Sequence, residues 1–349
     1  MEREYLFTIV VPVYNVEQYL EQCLDSLLYQ TKRNHIVVMV NDGSTDSSGE
    51  IAKKYAEQYS DFFVYFEQEN KGLGAARNSG FNLVKTKMVG FLDSDDWVPL
   101  TYIERLSERL EKEVDLPDIM YTHPVILDSA NNEFREWNDF DIRGKVFPDK
   151  STVTNVKLNP WIMGQEPSAN IKVYRTSFLR ECNFKFPEGT KWEDVEPHFK
   201  LLHLADRCIA EDSTGFIYRT NTGSQITSSV GYDRLQIVTV FSRILEKAGS
   251  EKWAAVEILF ILRMLYSFSK WSISACTLEV RKELLNELHN LYGTIMKNYW
   301  QQYFSYFQID KKDRLYIELI RSPFYKIMFD PIKIDAFFIF IKKVKRFLH

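Results

Sequence analysis

The sequence predicts an α/β protein: a Rossmann-like, mostly parallel central sheet with flanking helices, followed by a helical C-terminal domain. Three observations carry that prediction. Continuous apolar, β-branched runs alternate with helix-spaced segments through the first third of the chain, as in a parallel sheet covered on both faces. Each run ends in a polar, turn-forming cluster. Beyond about residue 226 the strand signals give way to long amphipathic helices.

The elements follow in order. Phe7 to Val13 is a β-branched run stopped by Tyr14-Asn15, and Glu17 to Gln30 carries apolar residues at helical spacing through Leu20, Leu24, Leu27 and Leu28. A second strand, Ile36 to Val40, ends in Asn41-Asp42-Gly43-Ser44-Thr45-Asp46, with a helix expected over Ser47 to Tyr59. Phe62 to Phe66 gives a third strand and Leu73 to Val84 a third helix. A fourth strand, Met88 to Leu92, runs into Asp93-Ser94-Asp95-Asp96. The stretch from Asp115 to Gly164 is richer in Asn, Asp and Pro and reads as irregular elaboration on the ligand side. It is followed by Ile171 to Leu179 and the acidic turn Trp192-Glu193-Asp194. Helices are expected at Leu235 to Ala248, Trp253 to Ser269, Leu278 to Tyr292 and Tyr299 to Phe307, so the domains divide as 1–225 and 226–349.

Composition narrows the function. The 349 residues are 45% hydrophobic and 26% charged, ordinary for a globular protein. A formal net charge of −4 gives no positive field for holding phosphate backbones, so no nucleic acid partner is expected. Cys23, Cys182, Cys208 and Cys276 are widely spaced, without a Cys-x-x-Cys pair, which indicates neither a zinc site nor a disulfide framework. Met1-Glu2-Arg3-Glu4 opens without the features of a signal peptide, and the apolar run Ala336 to Ile341 is too short to span a bilayer. A cytoplasmic protein is the expectation.

In open α/β sheets, ligands bind beyond the carboxyl ends of the strands, where this chain places its polar clusters. Three carboxylates in Asp93-Ser94-Asp95-Asp96 repel one another unless a cation relieves them, and oxygen ligands favour Mn2+ or Mg2+. A solvated cap for the following helix is the other reading of that motif. Asn70-Lys71-Gly72-Leu73-Gly74-Ala75-Ala76-Arg77-Asn78-Ser79-Gly80 sets a glycine-rich turn ahead of a helix bearing Arg77. The arrangement suits an anionic group, or serves simply as a tight strand-to-helix connection.

The order of five motifs is more specific than any one of them. Val11-Pro12-Val13-Tyr14-Asn15, Val40 to Asp46, Asn70 to Gly80, Asp93 to Asp96 and Trp192-Glu193-Asp194 together resemble the family 2 glycosyltransferases of the GT-A fold, over about residues 5 to 220. The resemblance implies that Pro12, Tyr14 and Asp42 hold the nucleotide base, usually uracil; many members have Asp-Asp where this chain has Asn41-Asp42. It places Asn70 and Arg77 near the nucleoside and diphosphate, Asp93 and Asp95 on the ribose and metal-diphosphate, and Asp194 as the base that deprotonates the acceptor, with Glu193 beside it. Asp96 is a third member of the acidic motif. A cap ahead of Val195 to Leu204 is the alternative for Asp194.

Phe216 to Thr227 is similar to a segment of cell-surface polysaccharide and teichoic acid transferases, which makes Arg219 and Ser224 candidates for closing over the donor phosphates. His198 and His203 read as structural, and Trp161 to Gln165 as a candidate wall of the acceptor pocket. The implied partners are a UDP-sugar donor and a surface-glycan or lipid-linked acceptor. A nucleotidyltransferase and a non-catalytic sugar-nucleotide-binding scaffold are the rivals. Residues 321–349 hold seven basic residues against two acidic ones, a local balance of +5 that leaves −9 for the remainder. Aromatics interleave with those lysines, so 324–349 reads as an interfacial segment docking on an anionic membrane from the cytoplasmic side, or as a helix packed on the protein or in a homo-oligomer contact.

Overall fold

The computed structural model describes residues 4–137, 140–220 and 229–329, and the chain divides into two compact units, Met1–Gln225 and Ile226–His349. Ser224 and residues 330–349 of the C-terminal segment lie outside the described residues.

The first unit opens with the alternation β1 (Phe7–Val13), α1 (Leu20–Leu28), β2 (His35–Asn41), α2 (Ser48–Gln58), β3 (Phe63–Glu67), α3 (Leu73–Asn82), β4 (Met88–Phe91) and α4 (Tyr102–Leu110). These four strands run parallel in the order β3-β2-β1-β4. Every residue of β1 is buried, which explains why its sequence is a continuous apolar run rather than an alternating one. Pro12 fits this central strand because of where β4 ends. The Val10 carbonyl accepts from Leu92 N at 3.0 Å, and Pro12, two residues on, faces the same side beyond the last β1–β4 pair.

The sheet then turns antiparallel. It continues through β5 (Ile119–Asp128), β6 (Glu133–Glu136), α5 (Phe140–Val146), β7 (Lys172–Arg175), α6 (Thr176–Glu181), α7 (Val195–Leu204) and β8 (Cys208–Thr220). β7 pairs antiparallel with both β4 and β5, while β8 runs parallel along the length of β5. The full order is β3-β2-β1-β4-β7-β5-β6, with β8 on β5.

Three local expectations change. The first helix begins at Leu20 rather than Glu17, because Tyr19 N and Leu20 N close a turn on Val16 O while Glu17 is drawn into a loop network. The stretch expected to be irregular contains the ten-residue β5. Pro124 interrupts its pattern, and the structure absorbs this by register shifts around His123. In the second unit, α8 (Gln236–Ser250) and α9 (Ala255–Ala275) are followed by one 30-residue helix, α10 (Leu278–Phe307), where two were expected, and by α11 (Lys311–Arg321). Gly293 sits in the interior of α10 with open space where a Cβ would lie.

Candidate active site

The ends of β1 and β2 are tied together before any ligand enters. Asn15 adopts the left-handed conformation, φ 50°, and its Oδ1 accepts from Thr45 N at 2.8 Å. Val16 N donates to Ser48 Oγ at 2.8 Å, Glu17 N to Asp46 Oδ2 at 3.1 Å, and Ser47 N to Glu17 Oε2 at 2.9 Å. Asp42, buried at the end of β2, braces the glycine-rich turn: its Oδ1 accepts from Lys71 N at 2.9 Å and Gln68 Nε2 at 2.7 Å, its Oδ2 from Gly72 N at 2.8 Å. Gly43 is required here. Its φ is +67°, and a Cβ would come within 2.9 Å of Asn70 N. Beside this frame Tyr14 and Asn70 are exposed, Pro12 is buried, and Asn41 is spent on Tyr65, Glu67 and Ser44 N.

The acidic motifs meet on Arg77, whose side chain is 1% exposed. Its Nη2 donates to Asp93 Oδ1 at 2.7 Å, while Nη1 donates to Glu193 Oε1 and to Asp194 Oδ1, each at 2.8 Å. The resemblance puts Arg77 near the diphosphate; in the fold three of its hydrogen bonds go to carboxylates of two motifs that lie about a hundred residues apart in the chain. α3 is stapled over this spot. Asn78 exchanges hydrogen bonds with Phe186 N and O, and Gly74 lets the Pro187 carbonyl approach to 2.3 Å of where a Cβ would be. The Phe186 ring lies 5.2 Å from the guanidinium carbon.

Burial opposes the charge on Arg77, but Asp194, Asp93 and Glu193 more than offset it and raise its pKa. The carboxylates feel the same burial in the other direction. Burial, then the charge of Asp194, pushes Glu193 up to about 7; burial likewise raises Asp194, against the pull of Arg77. Asp194 opens α7, but its side chain makes no capping bond: Oδ1 is on Arg77 and Oδ2 accepts from Ala169 N at 3.2 Å. The capping reading of Asp194 therefore loses its basis.

Within Asp93 to Asp96 the members separate. Asp93 has both oxygens engaged, Oδ1 by Arg77 and Oδ2 by Asn170 Nδ2 at 2.8 Å. Asp96 is buried and accepts from Arg219 N at 2.9 Å, and burial raises its pKa well above the usual range. Asp95 takes no hydrogen bond from another side chain among the described residues, and burial, followed by the charge of Asp93, pushes it up to about 6. Neither end of the motif caps α4, whose first residue follows Thr101.

Arg219 is occupied. Its Nε donates to Asp95 O at 3.0 Å and its Nη2 to Gln22 Oε1 at 2.6 Å, and its guanidinium lies over the rings of Tyr19 and Trp97. It ties the end of β8 to the acidic turn. His198 is buried, held by Met163 O at 3.2 Å and kept neutral by burial; Met163 belongs to the short 3-10 turn Pro160–Gly164, which overlaps the stretch Trp161 to Gln165 offered by the sequence as an acceptor wall. Two contributors carried no motif and escaped sequence reasoning. They are Asn170, on Asp93, and the buried Lys172, whose Nζ donates to Ser168 O at 2.8 Å and Glu166 O at 3.1 Å.

A mixed sheet whose parallel strands run in the order β3-β2-β1-β4, with acidic motifs gathered beyond the strand ends, has the GT-A fold. Residues 8–155 match the family model described as Glycosyl transferase family 2. The uncharacterised glycosyltransferase YibD of Escherichia coli is 30% identical over 254 residues, covering 69% of this chain and 70% of that protein. Glycosyltransferase GlyA of Streptococcus pneumoniae is 36% identical over 225 residues, covering 62% of this chain and 31% of GlyA, so the chain spans about a third of that relative's length. Among solved structures, TarS 1–349 of S. aureus in complex with UDP-GlcNAc superposes with a TM-score of 0.69 at 21% identity, covering 93% of this chain and 90% of that one. The chain belongs to the family 2 glycosyltransferases.

Proposed function

We propose that the protein is an inverting transferase that moves a sugar from a UDP-sugar to a hydroxyl of a cell-surface glycan or lipid-linked acceptor, with Asp194 as general base. The observation that carries this reading is the shared guanidinium: Arg77 holds Asp194 on the same cation as Asp93 of the acidic motif, so base and donor-side carboxylate stand in one fixed group. The likeness to TarS, which binds UDP-GlcNAc, supports uridine as the carrier.

The chain's own residues divide the work. An acceptor hydroxyl is a poor nucleophile until a carboxylate within hydrogen-bond reach takes its proton as it attacks the anomeric carbon. Asp194 has that role, oriented from both sides by Arg77 and Ala169 N. One in-line attack inverts the anomeric centre. Pro12, Tyr14 and Asp42 frame the base site, with Asp42 keeping the glycine-rich turn in place and Asn70 at its edge. No cluster of three or more His, Cys, Asp or Glu residues is set to hold a metal among the described residues. The donor set nevertheless fits a divalent ion: Asp95, raised by burial and taking no hydrogen bond from another side chain among the described residues, would hold Mn2+ or Mg2+ together with Asp93. Such an ion supplies positive charge to the departing diphosphate.

The test is the product released on incubation with nucleotide sugars and an acceptor panel. Nucleoside diphosphate with an inverted linkage is expected, requires Mn2+ or Mg2+, and falls about 10²- to 10⁴-fold in Asp194→Asn. Release of pyrophosphate would make the protein a nucleotidyltransferase. UDP binding without turnover would make it a scaffold.

A further inference from the structure

We propose that the segment Ser168–Lys172 is a strap that fixes Asp93 and Asp194 relative to each other, with Asn170 and Lys172 as positioning residues for the transfer. The proposal rests on the roles given above to those two carboxylates. Arg77 grips one oxygen of each, and the strap grips the other: Asn170 Nδ2 donates to Asp93 Oδ2 at 2.8 Å, and Ala169 N, one residue away, donates to Asp194 Oδ2 at 3.2 Å. A carboxylate held on one oxygen alone can pivot about that bond. Held on both, it keeps one orientation, which is what transfer geometry needs.

The strap itself is anchored. Ser168 Oγ accepts from Asn170 N at 3.2 Å, and the buried Lys172 ammonium donates to the carbonyls of Ser168 and Glu166. Lys172 is the first residue of β7 and lies over the Tyr121 ring of β5, so the anchor is rooted in the sheet. A lysine 1% exposed has been removed from water to make these bonds, which is costly unless the bonds are good. Asn170 gives a second sign of the same design: its Oδ1 is buried with no hydrogen-bond partner among the described residues while its Nδ2 serves Asp93. Its amide is placed for the carboxylate rather than for its own satisfaction, and unsatisfied buried groups of this kind gather at functional sites.

The two halves of the strap separate experimentally. In Asn170→Ala, Asp93 is released on the donor side, so Mn2+-dependent UDP binding measured by calorimetry weakens about tenfold or more. In Lys172→Met, the amide donor to Asp194 is loosened on the acceptor side, so kcat falls about tenfold or more while UDP binding stays within about twofold. Asn170→Ser, smaller but still able to donate, recovers part of the loss and guards against a folding defect in the alanine variant. UDP affinity and kcat per folded molecule that match the unaltered protein in both variants would overturn the strap, as would equal losses of both quantities in both variants. Failure of the unaltered protein to turn over any UDP-sugar speaks against the proposed function; only the ratio of variant to unaltered protein speaks on the strap.

Discussion

At the scale of single residues, the site is a balance between the buried Arg77 and the carboxylates it holds. Burial and the charge of Asp194 push Glu193 up to about 7 from an ordinary 4.5, so its charge state changes near neutral pH. A carboxyl group whose folded pKa is raised favours its protonated form in the fold. Its stabilising contribution is therefore complete below about 4.5 and is lost as pH rises through about 7. Glu193→Gln removes that loss, so the difference in Tm between variant and unaltered protein should move in the variant's favour between pH 5 and pH 8, read by calorimetric scans without metal. A pH-independent difference would show that Arg77 keeps Glu193 ionised throughout. Asp194 is raised as well, so the acid limb of kcat should lie above that of an ordinary aspartate and belong to the Glu193–Asp194 pair rather than to either residue. Motif residues were legible as single letters in the sequence, but their partners were not. Asp42 reads as a base contact from its motif, yet only the fold reveals that its carboxylate also carries Lys71 N and Gly72 N.

At the scale of elements, α3 decides whether Arg77 can reach all three carboxylates. Two glycines set its height. At Gly80 a Cβ would come within 2.3 Å of Val10 Cγ1 on β1, and at Gly74 within 2.3 Å of the Pro187 carbonyl. Gly80→Ala presses the helix away from a sheet whose side chain can shift a little, and should cost about 1–3 kcal/mol in denaturant unfolding, as overpacking does. Gly74→Ala meets backbone, which cannot shift as readily, and should displace the turn that leads to Glu193 and Asp194. A fall in kcat larger than the loss of stability explains is the expected signature, and unchanged kcat would show that the turn tolerates the displacement. The parallel half of the sheet was readable because buried parallel strands are uninterrupted apolar runs, as in β1. The antiparallel half was not: Pro124 broke the pattern of β5, and Asn170 and Lys172 gain meaning only when β7 pairs between β4 and β5. Long-range pairing is the information a linear pattern lacks.

At the scale of the whole molecule, the sequence is electrostatically divided, with −9 over residues 1–320 and +5 over residues 321–349. The described part of that basic region begins conventionally: Tyr325 stacks on His289 at 4.3 Å and its hydroxyl donates to Asn286, while Phe324 is 65% exposed. No helix among the described residues is long and apolar enough to cross a membrane. Lysines interleaved with phenylalanines in 330–349 supply the two ingredients of interfacial lipid contact, apolar burial and attraction to anionic headgroups. The attraction is worth about 1 kcal/mol per basic residue near an anionic surface and is screened by salt. The full chain should therefore float with phosphatidylserine-containing vesicles at low ionic strength, float less as salt is raised, and stay down with neutral vesicles. A chain ending after residue 329 keeps Tyr325 on His289 and loses most of the basic residues, so it should no longer float. Equal flotation of the two chains would assign the aromatic lysine-rich segment to packing on the protein or to contact between copies.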